Sequence, residues 1–237
     1  MKLMHPLFSH PIMFRENSIP VLTIENTAMF RELVFELIAQ SESLDGRFVL
    51  SYRDQVLDCA SCLHVIQDYA HIHAPDKKLQ TRLLTALMQQ AQEELAEEGF
   101  LLHKQLQNYL GSLAALADYP VAYDESENLM GLLKAMDFRV DLQDLNAQEA
   151  LAEHIGLYHR LLKNQCFVLI HAKKFFTVKE LRQLYTLAQY QKWNLLLIES
   201  CACKEQLEEE IHTLFDNDLC ELTLEHSHEF EKNMSNL

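Results

Sequence analysis

Four carboxylates lie close together in the middle of the chain, in a segment that begins at Asp118 and ends at Glu127. The segment contains no cysteine or histidine, and oxygen ligands alone are what a hard cation such as calcium prefers. Asp118, Asp124, Glu125 and Glu127 are therefore candidate metal ligands. The spacing of Asp124 and Glu127 also fits a capping box at the start of a helix, with Glu125 favouring the helix dipole. From the residues alone, this capping role is the simpler explanation.

A second set of candidate residues is basic. The chain has 35 acids, 20 bases and a net charge of −15, but the window from Arg160 to Lys192 has seven bases and one acid. The window therefore carries +6 and the rest of the chain −21. This split indicates a local anion-binding surface on an acidic body, although a solvated basic helix would produce the same pattern. The candidate phosphate-binding residues are Lys163, Lys173, Lys174, Lys179, Arg182 and Lys192.

Two pairs of cysteines have spacings that are used in metal and redox sites. Cys59 and Cys62 form a C-x-x-C, and Cys201 and Cys203 form a C-x-C. A structural zinc site needs four ligands, and nothing in the sequence brings the two pairs together. A redox pair needs its first cysteine at a junction between a strand and a helix. Packing of small apolar side chains in the core explains these cysteines more simply.

A nucleotide site is not expected. The loop after the first apolar strand, Glu25–Met29, contains neither glycine nor lysine, and the chain has no G-x-x-x-x-G-K-[ST] motif. Backbone N–H groups therefore have no glycine-rich turn in which to hold a phosphate. Glu199 ends an apolar strand at the position where a nucleotidase would place a magnesium-linked acid, but this feature alone does not indicate an enzyme.

The elements that must position these residues follow from apolar periodicity. Short apolar runs predict strands, and residues recurring every three or four positions predict helices. Thr177 and Glu180 form a T-x-x-E capping box, and the strand–helix–strand order around them predicts a parallel βαβ unit. The predicted strands are Ile19–Glu25, Arg47–Tyr52, Cys166–His171, Asn194–Ser200 and Cys220–Leu224, and the predicted helices are Thr27–Gln40 and Thr177–Tyr190.

Between these segments the pattern changes to long amphipathic helices. Apolar residues recur at helical spacing from Leu79 to Asp118, and a break is expected near Gly99 or Gly111. The sequence therefore predicts an α/β head with a mostly parallel sheet, formed by residues 1–53 and 161–224, and a helical leg inserted at residues 54–160. Residues 225–237 are expected to be a frayed tail. Helices too long to bury their apolar stripe within one subunit predict a homo-oligomer.

The location expected from the composition is the cytoplasm. No apolar run approaches the ~18 residues of a membrane-spanning helix. Pro6 and Pro11 interrupt the apolar start of the chain, which argues against a secretory signal. Six cysteines without an export signal favour a reducing compartment.

Taken in order, several segments resemble a known family. A strand IPVLTIEN, a helical insertion, the segment YDESENLMGLLKAMDFRVD and the run from CFVLIH to LLLIES are similar to the Csn-two family, the type II-A CRISPR-associated adaptation proteins. The resemblance extends from Ile19 to Leu224. Its most specific parts are Tyr123-Asp124-Glu125 and an F-x-T-x-x-E helix start followed by LLLIES.

The resemblance implies a degenerate P-loop-ATPase-like head without a nucleotide site, plus a helical leg. It implies that four subunits form a ring that holds double-stranded DNA ends in a basic channel without sequence preference and without catalysis. It also implies calcium near the leg, and the CRISPR integrase complex and effector nuclease as partners in spacer acquisition. Relatives carry more acids before the Y-D-E motif, where this chain has an apolar residue at Leu116, Ala117, Val121 and Ala122.

Two alternatives remain beside a DNA-binding ring. The first is a metal-dependent nuclease or nucleotidase that uses Glu25, Glu199 or the acidic segment. The second is a protein-interaction scaffold built on the long helices. If the bases near Lys173 and Lys174 do not bind DNA, the next candidates lie in the insertion, at Lys77, Lys78, Arg82 and Lys104.

Overall fold

Short apolar runs form strands in the larger of two compact units. The structure, a computed structural model, describes residues 1–73, 76–203 and 205–224. The larger unit comprises Met1–Ala74 and Leu142–Leu237, and the smaller comprises Pro75–Asp141. The insertion is thus shorter than the predicted 54–160, because strands and helices that flank it belong to the α/β unit. The predicted tail, 225–237, lies outside the described residues.

The larger unit contains two sheets. Its strands are β1 (Lys2–Met4), β2 (Ile12–Met13), β3 (Ile19–Ile24), β4 (Val49–Tyr52), β5 (Gln55–Leu57), β6 (Leu63–Ile66), β7 (Cys166–Ile170), β8 (Asn194–Glu199), β9 (Glu210–Phe215) and β10 (Glu221–Leu224). A four-stranded antiparallel sheet has the order β2-β1-β4-β5, and a six-stranded sheet has the order β10-β9-β3-β8-β7-β6. In the larger sheet every neighbouring pair is parallel except β10 with β9. The prediction of a mixed α/β fold with a mostly parallel sheet is confirmed.

Helices join these strands and form the smaller unit. They are α1 (Thr27–Ser41), α2 (Cys59–Cys62), α3 (Lys77–Glu94), α4 (Ala96–Ala115), α5 (Leu129–Ala135), α6 (Ala147–Leu157), α7 (Ala172–Phe175) and α8 (Val178–Gln191), with a π-helical turn at Tyr158–Leu162. Within the described residues, no helix combines the length and the apolar character that crossing a bilayer requires.

One face of the six-stranded sheet packs against α1 and the four-stranded sheet. Apolar residues of this core come from alternate strand positions, which point to one face of a pleated sheet. The members from the central strands are Leu22, Ile24, Val168, Ile170, Leu196 and Ile198, and those from α1 are Met29, Leu33, Val34 and Leu37. Both faces of β3 are buried along its whole length, as is usual for a parallel strand at the centre of a sheet.

The buried residues of helix α8 lie on the opposite face of the six-stranded sheet. Thr177 caps its N-terminus, and Glu180 completes the predicted capping box by accepting the Thr177 N–H. Four residues on one side of the helix are buried, namely Leu181, Leu184, Tyr185 and Ala188. The helix therefore crosses between the parallel neighbours β7 and β8, and the predicted βαβ unit is confirmed.

The smaller unit contains α3, α4 and α5. The predicted long helical region is two helices of 18 and 20 residues, separated at Leu95. The break therefore lies four residues before Gly99, which is in the first turn of α4, and Gly111 lies within that helix. Leu95 has φ −126° and ends α3 by donating its N–H to the Ala91 carbonyl.

Candidate functional site

The loop after β3 lies at the carboxyl edge of the parallel sheet, where open α/β sheets bind ligands. Asn26 occupies the start of α1, and its side-chain Oδ1 accepts the Met29 N–H at 3.0 Å. Its Nδ2 donates to the Asn217 carbonyl at 3.1 Å, which joins this loop to the end of β9. A side-chain cap thus takes one of the helix N–H groups that a phosphate loop would present to its ligand.

Glu199 lies at the same edge, at the end of β8, and is fully buried. Its Oε1 accepts the Lys173 backbone N–H at 2.9 Å. Its Oε2 and the Nδ1 of His171 are 3.7 Å apart, too far for a hydrogen bond, and neither atom has a hydrogen-bond partner among the described residues. Burial raises the pKa of Glu199. Burial therefore works against the ionised form that a magnesium ligand needs.

The carboxylates that an enzyme would require are not assembled around Glu199. Within residues 1–73, 76–203 and 205–224, no group of three or more histidine, cysteine, aspartate or glutamate side chains is arranged to hold a metal ion. Glu25, the other predicted acid of this edge, follows β3, and its backbone N–H donates to the Phe215 carbonyl.

Lys173 is not on the surface. Its side chain is 5% exposed, and its ammonium lies 2.6 Å from Glu210 Oε2, whose side chain is fully buried. Glu210 also accepts hydrogen bonds from Tyr185 Oη at 2.9 Å and from the Leu207 N–H at 3.1 Å, and its Oε2 is 3.0 Å from His212 Nε2. Burial alone would raise the pKa of Glu210, but the hydrogen bonds from His212 and Lys173 outweigh it and lower that pKa. Lys173 thus neutralises a buried carboxylate and is not available to a phosphate.

Sequence reasoning missed this buried polar network. Strand β9, which carries Glu210 and His212, was not predicted, because charged residues in a strand usually mark a solvent-exposed face. Tyr185 lies at a core position of α8, where its spacing gives no sign that its hydroxyl binds a carboxylate. A signal exists only in retrospect: Glu210 and His212 are two residues apart, so they share one face of the strand.

The other predicted bases of the window are exposed. Lys163, Lys179, Arg182 and Lys192 are exposed and form no ion pair with a carboxylate among the described residues. Lys174 is also exposed, and its Nζ donates to Ser200 Oγ at 2.8 Å. Arg160, the remaining base of the window, pairs with Glu153 at 2.5 Å.

The fold separates these exposed bases into two groups. Lys174, Lys179 and Arg182 follow the carboxyl end of β7, in α7 and the first turns of α8. Lys163 and Lys192 precede β7 and β8, whose first residues pair with each other, so both lie at the opposite edge of the sheet. Helix α8 has 14 residues and, at ~1.5 Å per residue, separates the groups by about 20 Å.

Lys163 and Lys192 also have a local structural role. Both are C-caps in the left-handed region, with φ of 63° and 58°. Glycine is the usual residue at such positions, and a positive side chain at a helix C-terminus interacts favourably with the helix dipole. Their charge is therefore explained in part without a ligand.

The bases of the insertion, Lys77, Lys78, Arg82 and Lys104, are likewise exposed. The first three lie in the first two turns of α3, and Lys104 lies in α4.

The acidic segment lies in the smaller unit between α4 and α5. Asp118, Asp124, Glu125 and Glu127 are all exposed. The capping explanation for Asp124 does not hold, because α5 begins at Leu129 and its cap is Asn128, whose Oδ1 accepts the Gly131 N–H. Asp124 instead accepts the Ser126 N–H at 2.9 Å, and this hydrogen bond lowers its pKa. No three of these carboxylates are grouped as ligands of a single ion.

The cysteine pairs are also not brought together into a metal site. Cys59 and Cys62 begin and end the short helix α2, and Cys59 is buried. Cys201 and Cys203 follow β8, where Cys201 is exposed. All four are free thiols, and burial raises the pKa of Cys59 and Cys203, which makes these thiols poor nucleophiles.

Comparison with protein-family models identifies a family. Residues 40–219 match the sequence model of a family described as CRISPR-associated protein (Cas_Csn2), which is more than half of the chain. The matched range begins near the end of α1 and ends before β10, so it includes the helical insertion, the acidic segment and the basic window. No curated protein matches the chain.

Proposed function

The chain belongs to the Cas_Csn2 family of CRISPR-associated proteins, and from this premise we propose that it binds double-stranded DNA through the phosphate backbone during spacer acquisition. The proposed binding is independent of sequence and involves no catalysis. Phosphate contacts position a protein on DNA without reading its bases, so lysine and arginine side chains are sufficient for this task.

The observation that carries the proposal is a set of five exposed bases in two groups, one near each end of α8. Lys163, Lys174, Lys179, Arg182 and Lys192 carry charge that no described carboxylate neutralises, on a chain whose net charge is −15. An acidic body repels DNA, so binding has to come from exposed bases whose charge no carboxylate neutralises. A ring of identical subunits would repeat both groups of bases around a duplex and multiply their charge.

The strand order supports the proposed likeness of the head to a P-loop ATPase. Numbered along the chain, the five parallel strands have the spatial order 5-1-4-3-2, with β3 at the interior. The loop after β3 is then the place where such a fold would hold a nucleotide phosphate. Asn26 and the absence of glycine there support a head that retains the topology without the nucleotide site.

Helix α4 supports assembly into an oligomer, for which we propose the tetramer that the resemblance implies. None of its residues is buried. Large apolar side chains nevertheless recur along it, namely Phe100, Leu101, Leu102, Leu106, Tyr109 and Leu113, followed by Leu116 at 81% exposed. Contiguous exposed apolar surface of this kind marks an interaction site. Light scattering should give a mass that is a multiple of 27.6 kDa, and a monomer at all concentrations would contradict the proposal.

Calcium remains a prediction, and no step of the proposed function passes through it. The four carboxylates of the acidic segment are close in sequence but not convergent in the structure. If calcium binds, it has to draw Asp124, Glu125 and their neighbours together, and binding would then stabilise the smaller unit.

The test of DNA binding uses charge changes that do not threaten the fold. Lys192→Gly and Lys163→Gly remove a positive charge while placing glycine at a left-handed C-cap, which glycine prefers. Combined with Lys179→Glu and Arg182→Glu, they should weaken binding to linear duplex for every sequence. Each lost phosphate contact should flatten the slope of log affinity against log salt by about 0.9. Arg31→Glu with Arg53→Glu, which adds negative charge at other exposed positions, is the control.

The outcomes separate the three hypotheses. If the variant with all four substitutions keeps the wild-type affinity and salt slope, these bases do not bind DNA. The same test would then go to Lys77, Lys78, Arg82 and Lys104. Absence of duplex binding by the wild-type protein would favour a helical scaffold. Metal-dependent loss of DNA or ATP that disappears in Glu199→Gln would favour the nuclease or nucleotidase.

A further inference from the structure

The C-x-x-C pair lies where a redox use of its cysteines requires it to lie. Strand β5 ends at Leu57, Asp58 caps the helix that follows, and Cys59 is the first residue of α2. The first cysteine of the pair is therefore at a junction between a strand and a helix, the condition for a redox-active C-x-x-C. The proposed DNA binding involves neither cysteine, so the chemistry of this pair is a separate question.

The backbone brings the two thiols within reach of each other. Cys59 and Cys62 begin and end α2, which has four residues. In helical geometry their Cα atoms are about 5 Å apart, inside the range of roughly 4.4–6.8 Å that disulfides span. Their Cβ atoms are about 5–6 Å apart on a helix and have to approach by about 1 Å. Leu63, the next residue, is already extended, so only the end of a short helix has to adjust.

The other four cysteines form no comparable pair, and all six lie in the part of the chain that the structure describes. The Cys203 thiol contacts the Cys201 carbonyl, with 3.9 Å between sulfur and oxygen. Cys166 is fully buried in β7, where a dissolved oxidant does not reach it. Cys220 is exposed and lies between β9 and β10. The pair in α2 is therefore the one that the fold prepares for a disulfide.

The two thiols of the pair differ in exposure, and this difference gives them different roles. Cys62 is partly exposed, so a dissolved disulfide can reach its sulfur. Cys59 is buried in the core against which Cys62 packs. Burial raises the pKa of Cys59, and the nearby Cys62 thiol raises it further. Cys59 is thus a poor nucleophile towards dissolved molecules, but its sulfur is held next to that of Cys62.

From these observations we propose that Cys59 and Cys62 form a reversible thiol–disulfide site, oxidised by the disulfide of a small thiol. The Cys62 thiolate attacks one sulfur of that disulfide, which forms a mixed disulfide and releases the first small thiol. Cys59 then loses its proton to solvent, and its sulfur attacks Cys62 Sγ and releases the second small thiol. Two protein thiols are oxidised to one disulfide, one small disulfide is reduced to two thiols, and the two protons pass to the released thiols.

Glutathione disulfide is the probe, and reduced glutathione tests reversal. The protein is the full chain with Cys201→Ser, Cys203→Ser and Cys220→Ser, which removes the solvent-accessible thiols outside the pair. After incubation at mildly alkaline pH, N-ethylmaleimide blocks the remaining thiols, and mass spectrometry identifies the products. We expect the intact protein to lose two hydrogen atoms and to retain no glutathione. An excess of reduced glutathione should restore the original mass.

Tryptic digestion locates the disulfide. Residues 54–77 form one tryptic peptide that contains both Cys59 and Cys62, whereas Cys166 lies in another. The loss of two hydrogen atoms should therefore map to the first peptide, and Cys166 should carry N-ethylmaleimide once the protein is unfolded. The same mapping on the wild-type protein needs no substitution, so it tests the proposal even if a variant does not fold.

Two matched variants separate the two steps. In Cys59→Ala the mixed disulfide has no resolving thiol, so Cys62 should retain one glutathione. In Cys62→Ala the exposed sulfur is missing, so the pair should take up no glutathione. Circular dichroism spectra that match the wild type show that each variant is folded.

Three results would overturn the proposal. They are glutathione retained on Cys62 while Cys59 is present, a disulfide that maps to Cys166, and a pair that stays reduced at every concentration of glutathione disulfide. Glutathione bound to Cys59 in Cys62→Ala would contradict the roles assigned to the two thiols. DNA affinity is measured separately, so failure of this proposal and failure of the proposed DNA binding are distinguishable.

Discussion

The Lys173 ammonium lies 2.6 Å from Glu210 Oε2, with 5% of one side chain and none of the other exposed. Lys174, the next residue, is exposed. Two adjacent lysines therefore have different roles: Lys173 pairs with a buried carboxylate, and Lys174 lies on the surface. If a variant changes both residues at once and binds DNA less tightly, the cause can be either a destabilised fold or the lost charge of Lys174.

Lys173→Met should destabilise the protein by about 3–5 kcal/mol, because it leaves the Glu210 carboxylate buried without its cation. Lys174→Met, the adjacent exposed control, should cost no more than about 0.5 kcal/mol. Urea unfolding at neutral pH measures both. Adding Glu210→Gln to Lys173→Met should recover part of the loss, since no uncompensated charge then remains buried. Equal effects of the two single changes would show that the pair is not buried in solution.

Glu199→Gln should stabilise the protein at pH 8 and leave its stability unchanged at pH 4. Burial raises the pKa of Glu199 above its ordinary value of 4.5. The folded wild type therefore binds the proton more tightly than the unfolded chain, and its free energy of unfolding falls as the pH rises above 4.5. An amide has no such proton to lose. The measurement is urea unfolding from pH 4 to pH 8, with the exposed Glu208→Gln as control. A loss of stability at pH 8 would contradict the raised pKa of Glu199.

Glu36→Gln should cost about 1–3 kcal/mol at neutral pH and progressively less in acid. Hydrogen bonds from the Arg47 side chain lower the pKa of Glu36 from 4.5 to about 2, although burial opposes them. The stability that this carboxylate contributes is thus fully present above pH 4.5 and is lost as the pH falls towards 2. The Glu36 carboxylate also contacts the buried His5 ring, whose pKa is lowered by burial. Parallel stability curves for variant and wild type between pH 5 and pH 3 would refute this account.

Calcium should raise the unfolding temperature of the wild type and not that of Asp124→Asn with Glu125→Gln. A ligand that binds only the native state stabilises it by mass action, so the effect must disappear with its ligands. The matched control is Glu97→Gln with Glu98→Gln, which changes an adjacent acid pair in the first turn of α4. Calcium should raise the unfolding temperature of this control as it does for the wild type. In chelator, the Asp124 and Glu125 variant should have the stability of the wild type. If calcium still raises the unfolding temperature of the Asp124 and Glu125 variant, the ion binds at another site.

Much of the α/β unit follows from local sequence patterns. The strands β3, β7 and β8 are short apolar runs, and α8 begins at the capping box formed by Thr177 and Glu180, as predicted. Such features depend on neighbouring residues only, so they can be recognised without knowledge of distant contacts. The boundaries of the insertion could not be recognised in this way, because β6 and α6 join the α/β unit through contacts with β7 and α8, distant in sequence.

The position of the charges is what the tertiary structure alone decided. By itself, the sequence determined that bases are concentrated between Arg160 and Lys192 on an acidic chain, and that no glycine-rich phosphate loop exists. It did not determine that Lys173 points into the sheet interior, since this depends on β9 placing Glu210 within reach. Nor did it determine that four nearby acids stay apart between α4 and α5. Net charge and spacing are properties of the chain, but a charge binds a ligand only if the fold leaves it exposed and unpaired, and that depends on contacts between residues far apart in sequence.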